Sequence, residues 1–293
     1  MATRTTSLIA INNTDANFRA WINEIHTAIT TFGWLQTSDT GQINFATALH
    51  PGQNVYAGFA IYQMNDSLQS SCAVFMRIDF GGGNAVDTPS VKVQVTIGGT
   101  NGSGTLTGNA SAQQVLASDA PGVATFANCR TSGNSSSFRL AFWLNELGSS
   151  NSQGFFFLVE RDRNTSGIET SLGVSFVTFA IVGGSARSRT QFLETAGGTG
   201  AVDTIMYAMV SAASSQGGGG NVGVGPVRTQ LGPFRNPLLG LLICEKTDFT
   251  MLATTPVTIY GSSHTYLLYG PQGSTNVALN SIQANCAFAI LWE

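Results

Sequence analysis

Between Phe18 and Phe32 apolar residues return every three or four positions: Phe18, Trp21, Ile22, Ile25, Ile29 and Phe32. Arg19, Asn23, Glu24 and Thr27 fill the positions between. This period predicts one α-helix with a single apolar stripe. Asp15 is placed to cap its start and Gly33 to end it. The stripe needs a cover, either a sheet or a neighbouring subunit, so Phe18, Trp21 and Ile25 are candidate interface residues. Beyond Gly33 the period falls to two. Val91, Val93, Val95 and Ile97 alternate with Lys92, Gln94 and Thr96, which predicts a strand with one buried face. Ala73 to Phe80 alternates less cleanly. Phe138 to Leu144 and Phe155 to Glu160 read as buried strands, and Val174 to Val182 is long enough to cross a whole sheet. Glycine- and asparagine-rich turns separate them, at 81–84, 98–104 and 164–167. The recurrence predicts a mainly β fold: an antiparallel β-sandwich or jelly-roll-like body with one N-terminal amphipathic helix.

The flanks are less regular. Met1 to Thr14 is polar and is expected to form an extended N-terminal arm. Residues 15–293 form the β-rich body, with a soft boundary between two lobes near 183–189. Thr204 to Ala213 fits either a strand or a helix, Gly217 to Gly220 a loop tip, and Gly232 to Pro237 an ordered irregular segment. Leu238 to Cys244, Val257 to Tyr260, His264 to Tyr269 and Ala287 to Trp292 supply the remaining strands.

Composition changes the picture in one respect. Only 10% of the residues are charged, against roughly 25% in an ordinary globular chain. With 43% hydrophobic residues disorder is a poor explanation, because disordered chains combine low hydrophobicity with high net charge. A neutral polar surface desolvates cheaply, and charge depletion marks interface cores. The same feature would suit a secreted β-protein. The net charge of −3 comes with no basic run, so no nucleic-acid partner is expected. The N-terminus is not a signal peptide, and the longest apolar stretch, Leu238 to Cys244, is too short for membrane insertion. Cys72, Cys129, Cys244 and Cys286 form no CxxC pair and are read as buried free thiols of a reducing cytosol.

Candidate chemistry is thin. His26 lies on the helix and is read as a surface or interface residue. His264 follows Ser262 and Ser263, but a Ser–His site needs an oriented third group. The glycine clusters Gly102-Ser-Gly104 and Gly223-Val-Gly225 do not complete a phosphate-binding pattern. Asp66, Asp79 and Asp87 are scattered and read as turn or cap residues. No catalytic, cofactor-binding or metal site is expected. The densest charge cluster is Glu160, Arg161, Asp162 and Arg163, at the end of an apolar strand. It reads as a charged strand end or, more sharply, as an intersubunit ion-pair site.

Several segments together resemble a family of virion structural proteins from tailed double-stranded DNA bacteriophages. They are Phe18-Arg-Ala-Trp-Ile22, Thr37-Ser-Asp-Thr-Gly-Gln-Ile43, Gly58-Phe-Ala-Ile-Tyr62 with Asn65-Asp66, and Val74-Phe-Met-Arg-Ile-Asp-Phe-Gly81. Val95-Thr-Ile-Gly98, Gly102-Ser-Gly-Thr-Leu-Thr-Gly108 and Gly154-Phe-Phe-Phe-Leu-Val-Glu-Arg161 continue the series. Each piece alone is ordinary turn-and-strand chemistry, and the second part of the chain matches by composition more than by motif. The resemblance implies a non-enzymatic particle component assembled in the bacterial host cytoplasm. Its partners would be copies of itself and other virion proteins, in the tail or the tail-tip/baseplate. Two alternatives stand beside this: a capsid decoration protein, and an adhesin module binding host surface glycan through exposed aromatics near Trp34 or Phe234. An enzyme would need carboxylates or a metal triad converging in one cleft.

Overall fold

The computed structural model describes residues 2–83, 88–117, 126–144, 154–182, 185–197, 199–202, 224–226, 238–244, 253–269 and 287–292. The segments 204–213, 217–220 and 232–237, and with them Phe234, Asp87 and Cys286, lie outside this set.

Strand β1 (Ala2–Ala10) leads into helix α1 (Asp15–Thr31). The cap is Thr14 rather than Asp15. Thr14 is extended and its Oγ1 accepts from the Asn17 amide at 3.3 Å. Asp15 is instead the first helical residue, where its charge favours the positive end of the helix dipole, and its Oδ1 accepts from the His50 amide at 2.8 Å. At the other end Gly33 adopts φ +97°. Its N–H donates to the Thr30 carbonyl at 3.0 Å, and the Trp34 N–H donates to that of Ile29 at 3.3 Å. This pair of bonds closes the helix in a Schellman motif.

Sheet II comprises β2 (Leu35–Gln36), β3 (Tyr56–Gln63), β4 (Val74–Gly82), β5 (Pro89–Thr100) and β6 (Leu106–Ala110) in that order, with β7 (Gln114–Ala117) also pairing β5. Sheet I comprises β8 (Phe126–Asn134), β9 (Ser137–Leu144), β10 (Gly154–Arg163), β11 (Glu169–Val182), β12 (Ser185–Glu194) and β13 (Thr199–Val202), with β1 added beside β8. Sheet III is built from β14 (Val224–Pro226), β15 (Leu241–Cys244), β16 (Thr254–Ile259), β17 (Ser262–Tyr269) and β18 (Ala287–Leu291), in the order β14-β15-β18-β17-β16. All pairs are antiparallel. From β2 to β6 and from β8 to β13 consecutive strands are neighbours, so among the described residues the sandwich is built of two meanders, to which β1 adds beside β8 and β7 beside β5.

The core lies between sheets I and II. Val91, Val93 and Val95 of β5 are fully buried there, on the face their alternation assigns. They share one cluster with Met76 and Ile78 of β4, Leu140 of β9 and Phe155, Phe157 and Val159 of β10. Helix α1 joins the same cluster. Trp21 meets Phe80 of sheet II at 5.9 Å between ring centroids and Phe142 of sheet I at 6.3 Å. Sheet I is also buried on its other face, where Phe156, Leu158 and Glu160 alternate with the core residues. The bend at 238–240 that leads into β15 lies against Leu158 and Glu160. Sheet I is therefore the middle layer of three.

Two expectations change. Residues 2–10 are extended but do not project as an arm: β1 pairs with β8 from Ala2↔Gly133 to Ala10↔Phe126. At the soft boundary near 183–189 the chain continues one sheet, since Ser185 to Arg189 pair with Val182 to Thr178. Every strand of sheet III comes from residues 224–291, so the change of layer falls later in the chain.

Candidate functional site

Arg19, Asn23 and His26 follow one another at spacings of four and three, which places them on one stripe of α1, away from the buried one. They form one wall of a groove of about 790 Å³, within the size range of ligand sites. Gln36 of β2 and the segment 42–46 form the other wall. The second wall is fixed from below. The Ile43 amide donates to the Phe59 carbonyl at 2.7 Å, and Gln42 Oε1 accepts from the Ile61 amide at 2.8 Å, so the segment runs along β3.

His26 is half-buried. Its ring stacks on Phe45 at 4.2 Å, and Nδ1 lies 3.0 Å from the Tyr62 hydroxyl. Burial lowers the His26 pKa from its ordinary value of 6.5, so the imidazole is neutral near pH 7. Burial also pushes the Tyr62 phenol far up, which keeps its proton on. Arg19 Nη1 donates to the Ala48 carbonyl at 3.0 Å at one end of the groove. Asn44 Oδ1 accepts from the Ala46 amide at 2.9 Å, and Gln36 Nε2 donates to Gln42 Oε1 at 3.1 Å. Sequence reading places His26 at the surface or an interface; it does not find the groove, because the second wall comes from a segment without periodicity.

The seven expected interface residues are placed within the chain's own packing. Phe18, Trp21 and Ile25 are buried in the core beneath α1. Glu160 and Arg139 form an ion pair at 2.9 Å with side chains 1% and 0% exposed. The Glu160 carboxylate also accepts from the Leu239 and Gly240 amides, each at 2.9 Å. Arg161 is buried and pairs with Asp66, with Nη2 to Oδ1 at 2.8 Å, which ties the β3–β4 connection to sheet I. Asp162 accepts from the Ser175 hydroxyl at 2.9 Å. Arg163 pairs with Glu169 at 2.6 Å. The reading of this cluster as an intersubunit ion-pair site gives way to intrachain pairing, because alternation along β10 points Glu160 and Arg161 into different layers.

Other expected positions resolve in the same way. Trp34 is 1% exposed and donates Nε1 to the Asn134 carbonyl at 3.0 Å, so it offers no exposed ring to a glycan. Asp79 pairs with Arg77 at 2.6 Å. The Gly104 amide donates to Asp39 Oδ1 at 3.1 Å, and Thr37 and Thr100 donate to Oδ2. Burial raises the Asp39 pKa, but these hydrogen bonds outweigh it and hold the carboxyl below its ordinary range. His264 lies in β17 opposite Val257, with its pKa lowered by burial and by Arg163. Cys72 and Cys129 are buried free thiols, and burial pushes the Cys129 pKa up strongly. Among the described residues no three His, Cys, Asp or Glu side chains converge on a metal position. No protein-family model, curated protein or solved structure matches the chain.

Proposed function

We propose that this protein is a non-enzymatic structural subunit, present in many copies in a larger assembly. The observation that carries this reading is the direction of its charge. The chain holds thirteen basic and sixteen acidic residues, and among the described residues five ion pairs take residues from both sets: Arg4–Glu24, Arg77–Asp79, Arg139–Glu160, Arg161–Asp66 and Arg163–Glu169. Among the described residues, the exposed ones are mostly Ser, Thr, Asn, Gln, Gly and Ala. Such a surface loses water at little cost when copies pack together, and the Arg139–Glu160 and Arg161–Asp66 pairs are buried inside the fold. Three stacked β-layers supply a stiff body. Exposed Ile168 and Leu172, at one end of the β10–β11 hairpin, add apolar contact surface.

The assembly we infer is a tailed-phage virion, on the family-like segments in roughly the first 170 residues, with the tail or tail-tip/baseplate as the address. A capsid decoration protein is the same mechanical role at another site. Electron microscopy of particles labelled with an antibody to this chain tests the address. Label on the tail supports the reading, and label confined to the head overturns the tail assignment.

A further inference from the structure

We infer that the groove between α1 and the 42–46 segment is a binding site for an acidic saccharide. Its lining holds one cation, Arg19, one imidazole, His26, and four carboxamides, Asn23, Gln36, Gln42 and Asn44, with no carboxylate. The lining chemistry therefore disfavours a cationic ligand and accepts an anionic or neutral one. Donors dominate. Arg19 commits only Nη1 inside the chain among the described residues, so the rest of the guanidinium can grip a carboxylate. Tyr62 is buried, and the one hydrogen-bond partner of its hydroxyl among the described residues is His26 Nδ1. The phenol proton therefore belongs in that contact. This leaves the imidazole proton on Nε2 and makes His26 a further donor. Asn44 uses its oxygen on the Ala46 amide and keeps its NH₂.

Gln42 is committed within the chain, its Nε2 donating to the Thr37 and Asp39 carbonyls and its Oε1 accepting from the Ile61 amide and Gln36 Nε2, so Asn23, Gln36 and Asn44 are the carboxamides that favour a sugar over a simple anion. Side chains that both donate and accept match hydroxyl groups, which do the same. Ile43 and Phe45 add apolar wall between them, suited to the C–H face of a ring. Asn23 and Asn44 are exposed, and Arg19 and His26 partly so, so a ligand reaches them without opening the core.

The full chain is titrated with digalacturonate and with sialyllactose, using lactose and acetate as comparison probes, by saturation-transfer NMR and calorimetry. Saturable binding of at least one acidic sugar, weakened about tenfold in Arg19→Gln by loss of a charge-assisted contact and also weakened in Asn44→Ala, supports the site. Leu172→Ser, remote from the groove in the chain, should bind as the parent does. An unchanged thermal transition in each variant keeps a folding defect from imitating lost binding. No saturable binding of either acidic sugar overturns the inference. So does lactose binding as tightly as the acidic sugars, acetate displacing them at equal concentration, or an affinity indifferent to both groove substitutions.

Discussion

The Glu160 carboxylate takes one hydrogen bond from Arg139 in its own sheet and two from amides of the bend that leads into β15 of sheet III. Removing it leaves a buried guanidinium and two buried N–H groups without their acceptor. Loss of one member of a buried ion pair costs about 3–5 kcal/mol, so Glu160→Ala should lower the unfolding free energy by that amount in a urea titration. Gly240→Ala should also destabilise, because a Cβ there runs into Arg139, Glu160 and Leu158. None of this is legible in the sequence. The 160–163 cluster is visible as charge, but the amides that donate to Glu160 lie 79 and 80 residues away and the carboxylate that pairs with Arg161 lies 95 away. His26 gives a second test. Its pKa is lowered in the fold, so below its ordinary value of 6.5 the unfolded chain takes up a proton that the folded chain resists. Stability should be complete above that pH and decline as the pH falls towards the lower folded value. His264 adds to the slope in the same sense. In His26→Gln the urea midpoint should change less between pH 7 and pH 5 than in the parent.

Helix α1 and strand β5 show what periodicity can reveal. Their buried faces follow from spacing alone, because each packs one stripe or one face on a single core. Gly33 was legible as a helix stop for the same local reason: its left-handed backbone is one that a Cβ disfavours by about 1–2 kcal/mol. Gly33→Ala should reduce stability by that much in chemical denaturation. Strand β1 was not legible. A polar, threonine-rich edge carries little alternation, and only its partner β8 defines it as a strand. Deleting residues 2–10 should expose the β8 edge, which is a template for pairing with other chains. The shortened protein should aggregate at concentrations where the parent stays dispersed, as light scattering would show.

At the scale of the whole molecule, three β-layers are held together by apolar burial, by the Arg161–Asp66 pair between sheet I and the β3–β4 connection, and by the Leu239 and Gly240 amides donating to Glu160. The mainly β character and the sandwich were readable because strands recur with turn chemistry between them. The third layer was not separable from the second, because nothing in composition marks the passage from sheet I to sheet III. This architecture, with a low-charge exterior, is what carries the claim of a repeated subunit. The most direct test is quantitative mass spectrometry of particles purified from a lysate in which the chain is produced, alongside the native mass of the chain alone. The account predicts many copies per particle, in a fixed ratio to other particle proteins. A chain that remains a monodisperse monomer and is absent from the particles would contradict it.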